Sequence, residues 1–126
     1  MIDDAAALEF AKHHVETWNT HDLDAILNLY SETAELVSPL AAALHDSATL
    51  SGHATLRAYF ARGLAKYPDL CFELIDTFRC QSSVTLLYYG AGRKRVAEVM
   101  FLREDGKIER VFAHYLCERH GDDLPP

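Results

Sequence analysis

The side chain best suited to acid/base chemistry in this sequence is His14, which falls in the apolar stripe of a predicted first helix. At about 100° per residue, Phe10 and Trp18 lie next to it on the same helix face, whereas His13 points to water. An imidazole that faces a cavity can exchange a proton with a ligand near neutral pH. A core histidine bonded to protein at both nitrogens is the structural alternative, and both interpretations stay open.

Burial of His14 predicts a neutral imidazole at pH 7, because loss of water disfavours the charged ring and no carboxylate is visibly placed to restore it. A catalytic role would then require one nitrogen to be held by a protein group, for which Tyr59 and Tyr88 are the candidates. The other nitrogen would face the open pocket.

Metal and nucleophile motifs are not evident. The seven histidines show no HExxH or comparable spacing, so we expect no metal site. A Ser38–His14 pair lacks an orienting acid, and the sequence has no GxSxG elbow.

Net charge and composition limit the classes of molecule that this protein is expected to bind. The chain has 126 residues, is 49% hydrophobic and carries a net charge of -7, which is typical of one globular domain, here residues 1–126 with a frayed tail from about 119 to 126. The acidic balance argues against sequence-independent binding to nucleic acid or anionic membranes. Three cysteines without metal-type spacing favour the reducing cytoplasm, and we expect them to pack as small core side chains.

Three helices are predicted in the first half of the chain. Asp3 and Asp4 offer a cap for a helix that runs to about Asn19, and Asp22 caps a second, short one. The clearest helical periodicity covers His53 to Lys66.

Strands account for most of the remainder. Ala34 to Ser38 forms a short strand ended by Pro39, Leu40 to Gly52 forms a long loop carrying His45 and Asp46, and Leu70 to Cys80 and Ser83 to Tyr89 are extended. Val96 to Cys117 reads as a hairpin around Asp105-Gly106, which tolerates the positive φ of a tight turn. This order predicts an α+β fold, with a curved, cone-shaped, largely antiparallel (mixed) sheet packed on three N-terminal helices.

Several segments in this arrangement resemble the SnoaL-like, steroid-isomerase-like members of the nuclear transport factor 2-like superfamily, also called cystatin-like. The resemblance rests on Trp18-Asn19-Thr20-His21-Asp22-Leu23-Asp24, Ala34-Glu35-Leu36-Val37-Ser38-Pro39, Ser51-Gly52-His53, Ala91-Gly92-Arg93-Lys94 and Asp105-Gly106-Lys107-Ile108. It covers nearly the whole chain. These motifs specify fold well and chemistry poorly, since the superfamily includes isomerases, cyclases, epoxide hydrolases, dehydratases and proteins without catalysis.

Carried over residue by residue, the resemblance implies catalytic positions at His14 and Ser38, where steroid isomerases have a tyrosine donor and an aspartate base. Their second, protonated aspartate falls at Val99 or Phe101. Steroid isomerisation by that mechanism is therefore not expected. The resemblance and strand parity together predict a pocket that binds a small apolar or aromatic molecule and is lined by His14, Trp18, Ser38, Tyr59, Val84, Leu86, Tyr88, Val99, Phe101, Val111, Ala113 and Tyr115.

Two classes of function remain open. One is a cofactor-free isomerase, cyclase or hydratase that uses His14 as acid/base, and the other is a non-catalytic ligand-binding or dimeric accessory module. Glu73 and Glu98 are expected to face solvent or a partner subunit. A homodimer is predicted through an outer sheet face where Phe112, His114 and Leu116 stand beside Met100 and Leu102.

Overall fold

Two aspartates start the first two helices of the chain. In the computed structural model, which describes residues 1–44 and 47–118, the Asp3 carboxylate accepts a hydrogen bond from the Ala6 N–H at 2.8 Å and Asp22 accepts one from the Ala25 N–H at 3.2 Å. The helices are α1 (Asp4–Asn19), α2 (Leu23–Leu27), α3 (Pro39–Leu44) and α4 (His53–Lys66). The predicted α4 matches these bounds.

Six strands of the described residues form one curved, unclosed sheet. They are β1 (Tyr30–Val37), β2 (Thr49–Ser51), β3 (Glu73–Arg79), β4 (Ser83–Tyr89), β5 (Arg95–Leu102) and β6 (Ile108–Tyr115), in the order β2-β1-β6-β5-β4-β3. Every pairing is antiparallel except that of β1 with β6, which is parallel. The mixed α+β architecture is therefore the predicted one.

The β5–β6 hairpin turns at Asp105-Gly106. Gly106 has φ +84°, which a residue with a side chain rarely adopts, and the Arg103 N–H donates to the Lys107 carbonyl at 2.9 Å to close the turn. Predicted and observed turn positions agree.

One face of the sheet is covered by the helices. α1 packs against β3 and β4, and α4 packs against β1 and β2, so most side chains of the core between them are buried. Val84, Met100 and Val111 lie side by side on neighbouring strands and are fully buried. This inner face is the base on which the candidate site is built.

Two predictions, one about β1 and one about the segment after it, are wrong. Leu40 to Gly52 is not a plain loop, because α3 and β2 form within it, and β1 begins at Tyr30 rather than Ala34. His45, Asp46 and the predicted frayed tail of residues 119–126 lie outside the described residues.

The predicted outer stripe also needs correction. Met100 is fully buried and points inward, opposite Val111 of β6. Val99 instead pairs with Phe112, so the outward face of these strands carries Val99, Phe101 and Phe112. No helix among the described residues is long and apolar enough to cross a membrane.

Candidate active site

A cavity of about 510 Å³ lies between the inner face of the sheet and helices α1 and α4. Its walls are mainly aromatic and aliphatic, including Trp18, Tyr30, Leu36, Tyr59, Phe60, Leu70, Phe72, Tyr88, Ala113 and Tyr115. The rings pack on one another, as Trp18 against Phe60 at 4.8 Å and Phe72 against Tyr88 at 4.7 Å between centroids. Such a lining suits a flat or apolar ligand.

A single carboxyl group is present among the described residues of this wall. Glu98 lies in β5 opposite Leu86 of β4 and Ala113 of β6, so its side chain points to the inner face. It is only 7% exposed and lines the cavity. The expectation that Glu98 faces solvent or a partner subunit is wrong, because strand register turns it inward.

Glu98 is held by a tyrosine rather than by a cation. The Tyr88 hydroxyl donates a hydrogen bond to Glu98 Oε1, and no ion pair among the described residues involves this carboxylate. Burial raises the pKa of Glu98 from 4.5 to about 7, and the Tyr88 hydrogen bond opposes the shift. Near neutral pH this carboxyl therefore exists in both the protonated and the ionised form.

Three further tyrosines surround the carboxyl. The pKa of Tyr30, Tyr59 and Tyr115 is raised in each case, first by burial and also by the charge of Glu98. Their hydroxyls stay protonated at physiological pH, so each keeps a neutral O–H group of the kind that donates hydrogen bonds. The cavity wall thus combines one carboxyl with several neutral donors.

Ser38 also lies in the wall, where it is 1% exposed. Its hydroxyl accepts a hydrogen bond from the Leu40 N–H at 3.2 Å, and it lowers the pKa of Tyr59 and Tyr115 by hydrogen bonding. His14 does not bond to this hydroxyl, because neither imidazole nitrogen has a hydrogen-bond partner among the described residues. The Ser38–His14 pair considered from the sequence does not form.

His14 does not belong to the residues that line the cavity. It is fully buried beneath it, with its ring 6.0 Å from Phe10 and 6.2 Å from Tyr30 between centroids. Burial, followed by the charge of His13, lowers its pKa from 6.5 to about 3. The imidazole is neutral, as predicted, but neither Tyr59 nor Tyr88 holds a nitrogen and neither nitrogen faces the cavity.

The other predicted site residues fall into three groups, which line the cavity, lie in the core or point outward. Trp18, Tyr59, Tyr88, Ala113 and Tyr115 line the cavity. Val84, Leu86 and Val111 are on the inner face but lie wholly in the core. Val99 and Phe101 were wrongly assigned to the pocket: both point outward, and Phe101 is 41% exposed.

Glu98 is the functional candidate that sequence reasoning missed. A signal for it exists, because a single glutamate interrupts the apolar run Val96-Ala97-Glu98-Val99-Met100-Phe101. A charged residue in such a run marks either an exposed strand face or a buried site, and the register decides which.

In the described part of the chain, residues 1–44 and 47–118, no three His, Cys, Asp or Glu side chains are placed to hold a metal ion together.

The three cysteines, Cys71, Cys80 and Cys117, are free and exposed rather than core residues. Exposure at the surface contradicts their prediction as small core side chains.

Comparison with solved structures finds close likeness of fold. A SnoaL-like protein of unknown function from Burkholderia thailandensis E264 is 34% identical, with a TM-score of 0.88 over 93% of this chain and 100% of that one. A protein of unknown function with a cystatin-like fold from Methylobium petroleophilum PM1 is 12% identical, with a TM-score of 0.75 over 95% and 82% of the two chains.

An enzyme is also similar in fold. SalBIII, an epoxide hydrolase/cyclase-like enzyme with a role in pyran ring formation in the polyether salinomycin, is 21% identical, with a TM-score of 0.70 over 98% of this chain and 97% of that one. No curated protein matches the chain. The model of the SnoaL-like domain family matches residues 11–111, and together with the 34% identical relative it shows that this chain belongs to the SnoaL-like domain family.

Proposed function

We propose that this protein is a cofactor-free enzyme that transfers a proton on a small, mostly apolar compound bearing a carbonyl or hydroxyl group. Isomerisation, cyclisation and hydration all belong to this class. The observation that carries the proposal is the Glu98 carboxyl, which stands in an aromatic cavity wall with its pKa raised to about 7. A group that titrates near the working pH can both accept and donate a proton.

The tyrosine hydroxyls supply the second requirement of such chemistry. Proton abstraction next to a carbonyl builds negative charge on its oxygen, and neutral donors at that oxygen lower the barrier. Tyr30, Tyr59 and Tyr115 line the same cavity and keep their protons. The proposal therefore assigns the proton to Glu98 and the oxyanion to this group of hydroxyls.

The acid/base role expected of His14 moves to Glu98 for two reasons. The imidazole has no surface on the cavity, and with a pKa of about 3 it does not become protonated near neutral pH. The likeness in fold to SalBIII supports the class of chemistry only in outline, because 21% identity carries the fold and not the reaction.

Exchange of solvent deuterium into beta-tetralone, a small apolar ketone, tests the proposal by NMR. We expect wild-type exchange to rise with pH through about 7, because abstraction needs the ionised carboxyl. Glu98→Gln should lower the rate by about a hundredfold or more, the usual contribution of a positioned acid/base group. Glu104→Gln, at an exposed turn position, is the matched control and should leave the rate unchanged.

Equal exchange by wild type and Glu98→Gln would contradict the proposal. Absence of exchange by the wild-type protein, together with saturable binding of a neutral aromatic probe, would favour the second candidate, a non-catalytic ligand-binding module. The closely packed rings of Trp18, Phe60 and Phe72 are the observation that supports that candidate.

We further propose that a second copy of the chain covers the outer sheet face. The strand register aligns five side chains across five neighbouring strands of this face, namely Phe78, Thr85, Val99, Phe112 and Val37. Of these, Phe78 is 58% exposed. An apolar stripe of this extent is costly to leave in water. Sedimentation should find a dimer at micromolar concentration that Phe101→Lys weakens and Leu8→Lys, on exposed α1, does not; a wild-type monomer would refute it.

A further inference from the structure

The mouth of the cavity carries positive charge in an otherwise acidic protein. Arg62, Lys66 and Lys94 all line the cavity and are exposed to solvent. Glu98, deep in the wall, is the sole acidic residue among the described lining residues. In a chain with a net charge of -7, three cations at one opening are not expected from composition.

These cations have no anionic partner among the described residues. The ion pairs of the structure use Arg57, Arg79, Arg93, Arg103 and Arg110. Lys66 instead lies over the Tyr67 ring, 5.5 Å from its centroid. The ion-paired carboxylates of the described residues thus bind arginines elsewhere, and none of them pairs with a cation at the mouth.

Local structure explains how two elements deliver these charges to one opening. Arg62 and Lys66 are four residues apart, on one face of the last turns of α4. Lys94 follows the turn between β4 and β5, in which Arg93 adopts φ +62° and pairs with Glu73 at 2.9 Å. Arg93 is thereby engaged outside the cavity lining, whereas its neighbour Lys94 lines it.

Helix electrostatics account for only part of the cluster. A lysine in the last turn of a helix offsets the negative end of the helix dipole, which is sufficient reason for Lys66. The same reason does not extend to Lys94, which is in no helix of comparable length, and Arg62 lies a full turn earlier. What Arg62, Lys66 and Lys94 share is their position at the mouth of the cavity.

We infer that the molecule taken up by this cavity is an organic anion, with an apolar or aromatic body inside and an oxyanion such as a carboxylate or sulfonate at the mouth between Arg62, Lys66 and Lys94. This inference rests on the proposed function and names its substrate class. The ionised form of Glu98 repels an anion that enters the wrong way round. Attraction at the mouth and repulsion inside together point the apolar end of the ligand toward Glu98.

Two probes with the same aromatic body test the inference. Anilinonaphthalene sulfonate carries the anion, and N-phenylnaphthylamine lacks it. Trp18, the single tryptophan, lines the cavity, so energy transfer from its indole to the bound probe reports binding at this site. Wild-type protein should bind the sulfonate more tightly than the neutral probe, and added NaCl should weaken only the sulfonate.

Charge removal at the mouth should abolish this preference. The double variant Arg62→Gln/Lys94→Gln is expected to lose about tenfold in sulfonate affinity, a typical effect of removing two partly solvated charges near an anion. Binding of the neutral probe should be unchanged. Lys12→Gln, an exposed lysine on α1 that does not line the cavity, is the matched control and should behave as wild type.

Equal affinity of the wild-type protein for the two probes, an unchanged preference in the double variant, or binding of neither probe would each overturn the inference. Salt dependence in the wild-type protein gives a result that does not require any variant to fold. The measurement involves no chemical step and leaves Glu98 intact, so its failure is distinct from failure of the proton-exchange experiment.

Discussion

His14 and Glu98 are both buried ionisable groups, but only Glu98 lines the cavity. Burial is the largest cause of a pKa shift in each, and in both it favours the neutral form. The pKa of His14 is lowered to about 3, and that of Glu98 is raised to about 7. They differ in their surroundings. Glu98 faces the cavity and accepts a hydrogen bond from Tyr88, whereas His14 lies between the rings of Phe10 and Tyr30 with both nitrogens unpartnered among the described residues.

The comparison separates burial from function. Desolvation alone shifts a pKa, but proton transfer also requires contact with the ligand and a pKa near the working pH. Glu98 meets both conditions and His14 meets neither. A buried histidine is thus a weaker functional signal in this fold than a buried glutamate in a strand.

The largest expected effect is acid sensitivity caused by His14. The folded-state pKa of His14 is depressed, so the stability contributed by its neutral imidazole is full above pH 6.5 and is lost as the pH falls toward 3, on the order of 5 kcal/mol in total. In His14→Leu, the free energy of unfolding in urea should depend less on pH over that range than it does in the wild type. His13→Leu, at an exposed neighbour, should not, and an unchanged slope in His14→Leu would show that the imidazole is hydrated.

Glu98 should produce the opposite pH dependence. Its folded-state pKa is raised, so the stability it contributes is full below pH 4.5 and is lost as the pH rises through about 7, on the order of 3 kcal/mol. Glu98→Gln keeps an acceptor for the Tyr88 hydroxyl and cannot ionise. Its urea-unfolding free energy should exceed that of wild type at pH 8; a deficit there would mean that the ionised carboxylate is stabilised in the fold.

The smallest expected effect comes from the hydrogen bond that Tyr88 of β4 donates to Glu98 of β5. Tyr88→Phe removes the donor that favours ionised Glu98, so the carboxyl pKa should rise further, by about one unit. Carbon-13 NMR of labelled glutamate side chains would record the midpoint. Tyr89→Phe, the adjacent residue, whose hydroxyl contacts Arg95 instead, is the control, and an equal midpoint in both variants would remove Tyr88 from the site.

Several local features follow from the sequence alone. The aspartate cap predicted the start of α1 and apolar periodicity predicted α4, because a cap and a helical stripe act within a few residues of one another. The Asp105-Gly106 turn was predicted for the same reason. Burial of His14 was also correct, since the face of a helix is determined by its own periodicity.

Strand orientation needed the tertiary structure. β5 is apolar on both faces, so its period of two allowed either Val99 and Phe101 or Glu98 and Met100 to point inward. Pairing with Leu86 and Ala113 of the neighbouring strands selects Glu98.

The sequence by itself determined the family, the fold class and the helix faces, all of which depend on short-range patterns. Tertiary structure alone decided the parallel pairing of β1 with β6, the inward turn of Glu98 and the meeting of Arg62 with Lys94 at one cavity mouth. Each of these joins residues far apart in the chain. Their relative position depends on strand register and on how helices pack across the sheet, which no local pattern encodes.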